Sequence, residues 1–147
     1  MGDDVVGGAE YEAHGPSLPV LRALRNTGQH ARYRVGMSYA SMSDLERLDL
    51  RIGTVTGAQP NTGSREPALC LWIDLGPDRG IVQSSAKITE RYAPEAIIGT
   101  QVVVVSGFEP MRVGGFRSDV LVLGALAPDG VVILRPDVDV EDGTPIA

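Results

Sequence analysis

From residue 44 onward the chain is written in short β-type runs broken by turn residues, and this rhythm constrains its fold more than any other feature. Residues 50–58 alternate, with Leu50, Ile52, Thr54 and Thr56 on one side and Arg51, Gly53, Val55 and Gly57 on the other, the two-residue period of a strand. Residues 60–64 (Pro-Asn-Thr-Gly-Ser) form a loop. Residues 68–75 are apolar at consecutive positions, which predicts a strand covered on both faces. Residues 76–80 make a tight turn, and a third strand starts at 81–84. Residues 86–98 hold the only expected helix, with Pro94 suited to a first turn and Gly99 to the position past the end. The β-branched run 101–105 is a buried strand. Residues 107–116 read as a loop, residues 120–126 and 131–134 as further strands around Pro128-Asp129-Gly130, and 135–147 as an extended tail. Ser43, with Glu46 three residues on, reads as the cap of a short turn before the first strand.

Three strands, a short helix and then more strands predict an all-β domain. That order fits a five-stranded barrel of the OB kind, with one short helix between strands 3 and 4 and extra C-terminal strand elements. The spacing alone fits other small barrels too. Residues 1–42 differ: they carry both histidines, Pro16, Pro19 and several glycines with no sustained period. They are expected to be a disordered leader, or sequence ahead of a true start at Met37 or Met42, leaving 43–147 as the domain.

Composition removes several functions. The single cysteine, Cys70, allows no intrachain disulfide and suits a reducing cytoplasm. The acidic start lacks the character of a signal peptide, and no run approaches the ~20 apolar residues of a membrane-spanning helix. From residue 43 on there is no histidine, so Ser-His-Asp, Cys-His and His-ligated metal chemistry are excluded there. No catalytic residue, metal or cofactor is expected. Ser84-Ser85-Ala86-Lys87 matches S-x-x-K, but neither S-D-N nor K-T-G accompanies it; a phosphate-binding patch of hydroxyls, one ammonium and backbone N–H groups is the better reading. The acidic run 137–142 lacks the spacing of a calcium loop and reads as a solvated tail. Trp72 reads as core or dimer packing. The net charge is −6, and from residue 43 on nine cations face fifteen carboxylates, so any polyanion site must be a local patch.

Three segments carry a resemblance. Leu48-Asp49-Leu50-Arg51-Ile52-Gly53-Thr54-Val55, Gly80-Ile81-Val82-Gln83-Ser84-Ser85-Ala86-Lys87-Ile88-Thr89 and Gly115-Phe116-Arg117-Ser118-Asp119-Val120-Leu121-Val122-Leu123-Gly124 occur in this order. They resemble the L-D-I-R-V-G-x-I, G-I-K-Q-S-S-A-Q-I-T and G-F-K-S-E-V-L-V-L-G segments of CsaA-type proteins. Those proteins are small relatives of the tRNA-binding domain appended to some methionyl- and phenylalanyl-tRNA synthetases. The resemblance covers about residues 44–147 and implies an OB barrel, a homodimer and tRNA as partner. It places tRNA contacts on Ser84, Ser85, Lys87, Arg117 and Ser118, with Arg91 and Arg112 as basic neighbours. Phe116 and Phe108, by their place in the loop, are the candidates for stacking at the tRNA site, with Tyr92 a further one. The chain departs from the family at Val82, Gly107, Glu109 and Met111, which thins the basic charge on the expected RNA face.

The expected function is therefore non-catalytic tRNA binding by a cytoplasmic homodimer with no membrane contact. A CsaA-like chaperone or export factor that binds unfolded polypeptides is the alternative, and a purely structural partner domain a third reading. Apart from the family, the dimer expectation rests on the second strand: it is apolar on both faces, and a barrel interior uses only one.

Overall fold

A computed structural model of the chain describes residues 38–147, in which Ala40–Ala147 is one compact unit. The expectations for the leader lie outside the described residues. A helix opens the described part: α1 (Met42–Leu48) is capped by Ser41, whose Oγ accepts from Asp44 N while Asp44 Oδ2 accepts from Ser41 N at 2.7 Å. The cap thus falls two residues earlier than expected, with Asp44 rather than Glu46 as the return partner, because Ser41 and Asp44 carry the same three-residue spacing. The expected lone helix therefore has company. The later one, α2 (Pro94–Ile97), starts on the predicted proline and is followed by Gly99 with a φ of 84°.

Five strands make the barrel: β1 (Leu50–Pro60), β2 (Leu69–Asp74), β3 (Ile81–Ala86), β4 (Gln101–Val105) and β7 (Leu121–Val122), in the order β3-β2-β1-β4-β7. Each adjacent pair is antiparallel, so β3 and β7 run in the same direction. The sheet nearly closes between them, where Asp119 N and Val120 N both donate to Gln83 O. β1 serves two partners in succession: Leu50–Thr54 pair with β4 and Thr54–Pro60 with β2. A register shift between Val55 and Gly57 lets the strand bend as it changes partner.

Inside the barrel, Val55, Leu71, Ile73, Val102 and Val104 are fully buried, and Ile97 of α2 joins the same core. Two hairpins lie outside it. One is β5 (Met111–Val113) with β6 (Phe116–Ser118), in the segment read from sequence as a loop. The other is β8 (Gly124–Ala127) with β9 (Gly130–Ile133). The apolar run expected as a single strand, 120–126, divides because Leu123 bonds to Val103 and Leu134 and so leaves the β7 ladder. Phe116 packs edge-on against Trp72 at 5.6 Å between ring centroids. The outer face of β2 is thus covered in part by the chain's own hairpin.

The C-terminal tail is not loose. It runs back along β1, with Gly143 N donating to Ile52 O, Ile52 N to Thr144 O and Ile146 N to Leu50 O. Buried Gln101 clasps Val140 through both ends of its amide, and Asp142 accepts from Thr54 Oγ1 at 2.6 Å. Gly107, one of the departures from the family, lies against the end of α1: a Cβ there would stand 2.0 Å from Arg47 O, so the close backbone approach leaves no room for a side chain.

Asp49 joins α1 to β1 in the left-handed region (φ 48°) and bonds Arg51 at 2.8 Å and Arg79 at 2.6 Å. Partial burial pushes its carboxyl up, but the two guanidinium bonds outweigh this and hold it below the usual carboxylate range. A depressed carboxylate stabilises the fold above its unfolded pKa, and that contribution is lost as pH falls through the folded value. Asp49→Asn tolerates the same backbone geometry. It should lower stability near pH 7 by about 1 kcal/mol, and its curve should converge with wild type as pH falls from about 4 toward 2. Denaturant unfolding across that pH range checks it.

Candidate nucleic-acid interface

The loop from β1 to β2, the end of β3 and the β5–β6 hairpin meet at one end of the barrel. Arg65 and Glu66 of the loop, Lys87 just past β3 and Arg112 of β5 line one open groove of about 410 Å³. Arg117 stands directly opposite Arg112 in the hairpin, and opposed residues in an antiparallel pair share a face. Four cations are thereby gathered on an otherwise acidic domain.

Their partners differ. Lys87 forms an ion pair with Glu66, which holds that glutamate below its usual range. Arg117 bonds Asp119 Oδ1 at 2.5 Å, while Asp119 Oδ2 accepts from Gln83 N at 3.2 Å. The guanidinium is thus tethered to the β3 backbone. Arg112 donates to Gly115 O at 2.9 Å. Among the described residues, neither Arg65 nor Arg112 has a carboxylate partner. Such exposed pairs are weak, so a phosphate can compete for Lys87 or Arg117 at little cost.

The hydroxyls expected on this face are mostly engaged within the fold. Ser84 points into the barrel, is 1% exposed and donates to Val120 O at 2.9 Å. Ser118 is buried, donating to the same carbonyl and accepting from Ser85 N. Ser85 lies on the opposite side of β3 from Ser84, and its Oγ accepts from Asn61 Nδ2 at 3.0 Å. Phe116 is half-buried on Trp72. With its amide oxygen toward the indole, Gln83 accepts from Trp72 Nε1 and donates to Arg117 O, each at 3.2 Å. Trp72, Gln83 and Phe116 therefore seat the hairpin that carries the arginines. Arg91 is not in this groove. It pairs with Asp129 in the β8–β9 turn at 2.6 Å. Tyr92 OH accepts from Ile133 N, and exposed Phe108 lies in a separate groove beside Arg47 and Leu48 of α1.

Arg65, Asn61 and Asp119 were not singled out in sequence. Arg65 and Asn61 belong to or border a stretch that reads only as a turn, and nothing local reveals that the barrel brings that turn against a hairpin fifty residues away.

A nearly closed five-stranded barrel of the OB kind, with cations gathered at the loops of one end, is an architecture that elsewhere binds oligonucleotides and oligosaccharides. Residues 50–145 match the family model described as a putative tRNA binding domain. The chain belongs to that family and is of the CsaA type. It is similar to the chaperone CsaA of Bacillus anthracis, with 49% identity and a TM-score of 0.69 over 75% of this chain and 100% of that one. It is also similar to the CsaA chaperone protein of Picrophilus torridus, with 35% identity and a TM-score of 0.70 over 74% and 100%. The methionine–tRNA ligase of Methanothrix thermoacetophila is 41% identical over 99 residues, 67% of this chain; the match spans only 14% of that ligase.

The geometry separates hydroxyls that hold the fold from cations that face solvent. Ser84→Ala should lower the unfolding free energy by about 1 kcal/mol, the worth of one internal hydrogen bond. It should leave the surface charge as it is, so urea unfolding should register a loss and nucleic-acid binding none.

Proposed function

We propose that this protein is a non-catalytic tRNA-binding module that works as a homodimer, with the loop–hairpin groove as its RNA face. The observation that carries the reading is the convergence of Arg65, Lys87 and Arg112 on one open groove, with Arg117 beside Arg112. Family membership and the ligase relatives support tRNA as the polyanion. Recognition rests on phosphate and shape more than on stacking. The aromatic residue nearest the cations, Phe116, is half-buried on Trp72, and folded RNA is contacted largely through backbone and shape. Two copies would present two such faces and raise avidity wherever one RNA spans both.

One observation favours a second reading. Beside the cations runs an apolar groove of about 510 Å³, lined by Met111, Leu121, Leu126 and Val131 among others. Met111 and Leu126 are more than half exposed. Exposed apolar surface of this kind marks binding sites, and both solved relatives carry the word chaperone in their names. An extended apolar polypeptide is the ligand this groove suits.

A tRNA titration at about 50 and 200 mM salt separates the two. Binding should weaken steeply between these concentrations. Lys87→Ala and Arg117→Ala should each weaken it by on the order of 1 kcal/mol and lower the salt slope by about one unit. Absence of a tRNA complex at the lower salt, together with suppression of client aggregation that Arg117→Ala leaves intact, would move the function to the apolar groove. Light scattering at micromolar concentration should give a dimer; a monomer contradicts the paired-face part of the proposal.

A further inference from the structure

The cations of the RNA face sit on separate segments: Arg65 on the β1–β2 loop, Lys87 past β3 and Arg112 on the β5–β6 hairpin. Their spacing depends on how firmly these segments are joined, and two independent features join them.

The first is Asn61, immediately after β1's last residue and only 8% exposed. Its Nδ2 donates to Ser85 Oγ on β3 and to Val113 O on the hairpin, each at 3.0 Å, and its Oδ1 accepts from Gly63 N at 3.3 Å. Its backbone N donates to Ala68 O at the far end of the loop, and its O accepts from Ser64 N. One side chain therefore bonds the loop, the third strand and the hairpin together. Both amide ends are needed, because Val113 O and Gly63 N demand a donor and an acceptor.

The second is a backbone contact. A Cβ built on Gly63 would stand 2.1 Å from Gly114 O, and one on Gly114 would stand 2.2 Å from Gly63 C. The loop and the hairpin touch main chain to main chain with no room for a side chain between them. Gly63 does not need a left-handed φ, so its lack of a side chain serves this approach and not a turn.

We propose that Asn61 and the Gly63–Gly114 contact lock the β1–β2 loop to the β5–β6 hairpin, making Asn61 a positioning residue that sets the spacing of Arg65, Lys87 and Arg112 for consecutive phosphates. The inference rests on the RNA reading above and deepens it. A pre-set array of cations loses little freedom on binding, whereas cations on independently moving loops must be ordered by the ligand.

The test uses the full chain and two variants. Gly63→Ala inserts a methyl group between the two backbones. Asn61→Ala removes the donor to Val113 O and the acceptor for Gly63 N and adds no charge beside the cations. Each should weaken tRNA binding by about tenfold, while Ile97→Val, which destabilises the core away from the groove, should leave it unchanged. In an Arg112→Ala/Arg117→Ala background Gly63→Ala should cost less than about twofold, because the hairpin cations it displaces are gone. Losses that simply add, or a Gly63→Ala protein that binds as wild type, overturn the positioning role.

Amide hydrogen exchange without RNA supplies the second readout. Either variant should speed exchange in residues 62–66 and in 111–117 together. Acceleration confined to the mutated segment overturns the lock. A wild-type chain that fails to bind tRNA overturns the RNA reading and the positioning role with it, while coupled exchange still decides whether the two segments move as one.

Discussion

The change of partners along β1 is the constraint on which the rest of the structure depends. A strand that pairs with β4 over Leu50–Thr54 and with β2 over Thr54–Pro60 cannot stay straight. The irregularity between Val55 and Gly57 supplies the bend, and the curved sheet then nearly meets itself at Gln83 and Val120. Closure buries one face of every strand around Leu71, Ile73, Val102 and Val104. It also carries the loop after β1 round to the β5–β6 hairpin. The cationic groove is thus a consequence of barrel closure and not of any local motif.

That placement answers the difficulty posed by a net charge of −6. Long-range attraction of a polyanion is weak for such a chain, so affinity must come from short-range contacts. Much of the acidic excess lies in the tail, where Asp142 is bonded to Thr54 and the neighbouring Val140 to Gln101. Near the groove the acidic groups Glu66 and Asp119 each hold one of the cations. Asp119, itself tied to the β3 backbone, orients Arg117 as much as it neutralises it.

Much of the fold was legible in sequence because its signals are local. The period of two in β1, the run of valines in β4, and Pro94 and Gly99 about α2 each mark an element without help from elsewhere. The misses share a physical cause. The Ser41–Asp44 box and the Ser43–Glu46 spacing compete over two residues, and only packing decides between them. The β5–β6 hairpin is three residues a side and gains its order from Trp72 and Asn61, neither of them nearby in sequence. The same holds at the site. Lys87, Arg112 and Arg117 could be named from motif and charge. The inward turn of Ser84 follows from the parity of β3, and the burial of Ser118 from its bond to Val120. The parting of Arg91 from the others follows from its bond to Asp129, and the two-sided burial of β2 from Phe116. Apart from the parity of β3, none of these has a local signature.

The proposed RNA face is the place where the β1–β2 loop and the β5–β6 hairpin abut. Backbone amide chemical shifts followed during addition of tRNA test it most directly. The largest changes should cluster at residues 62–66, 85–87 and 111–118, with the β8–β9 hairpin unmoved. Changes confined to Leu126, Val131 and their surroundings, or a spectrum indifferent to tRNA, would contradict it.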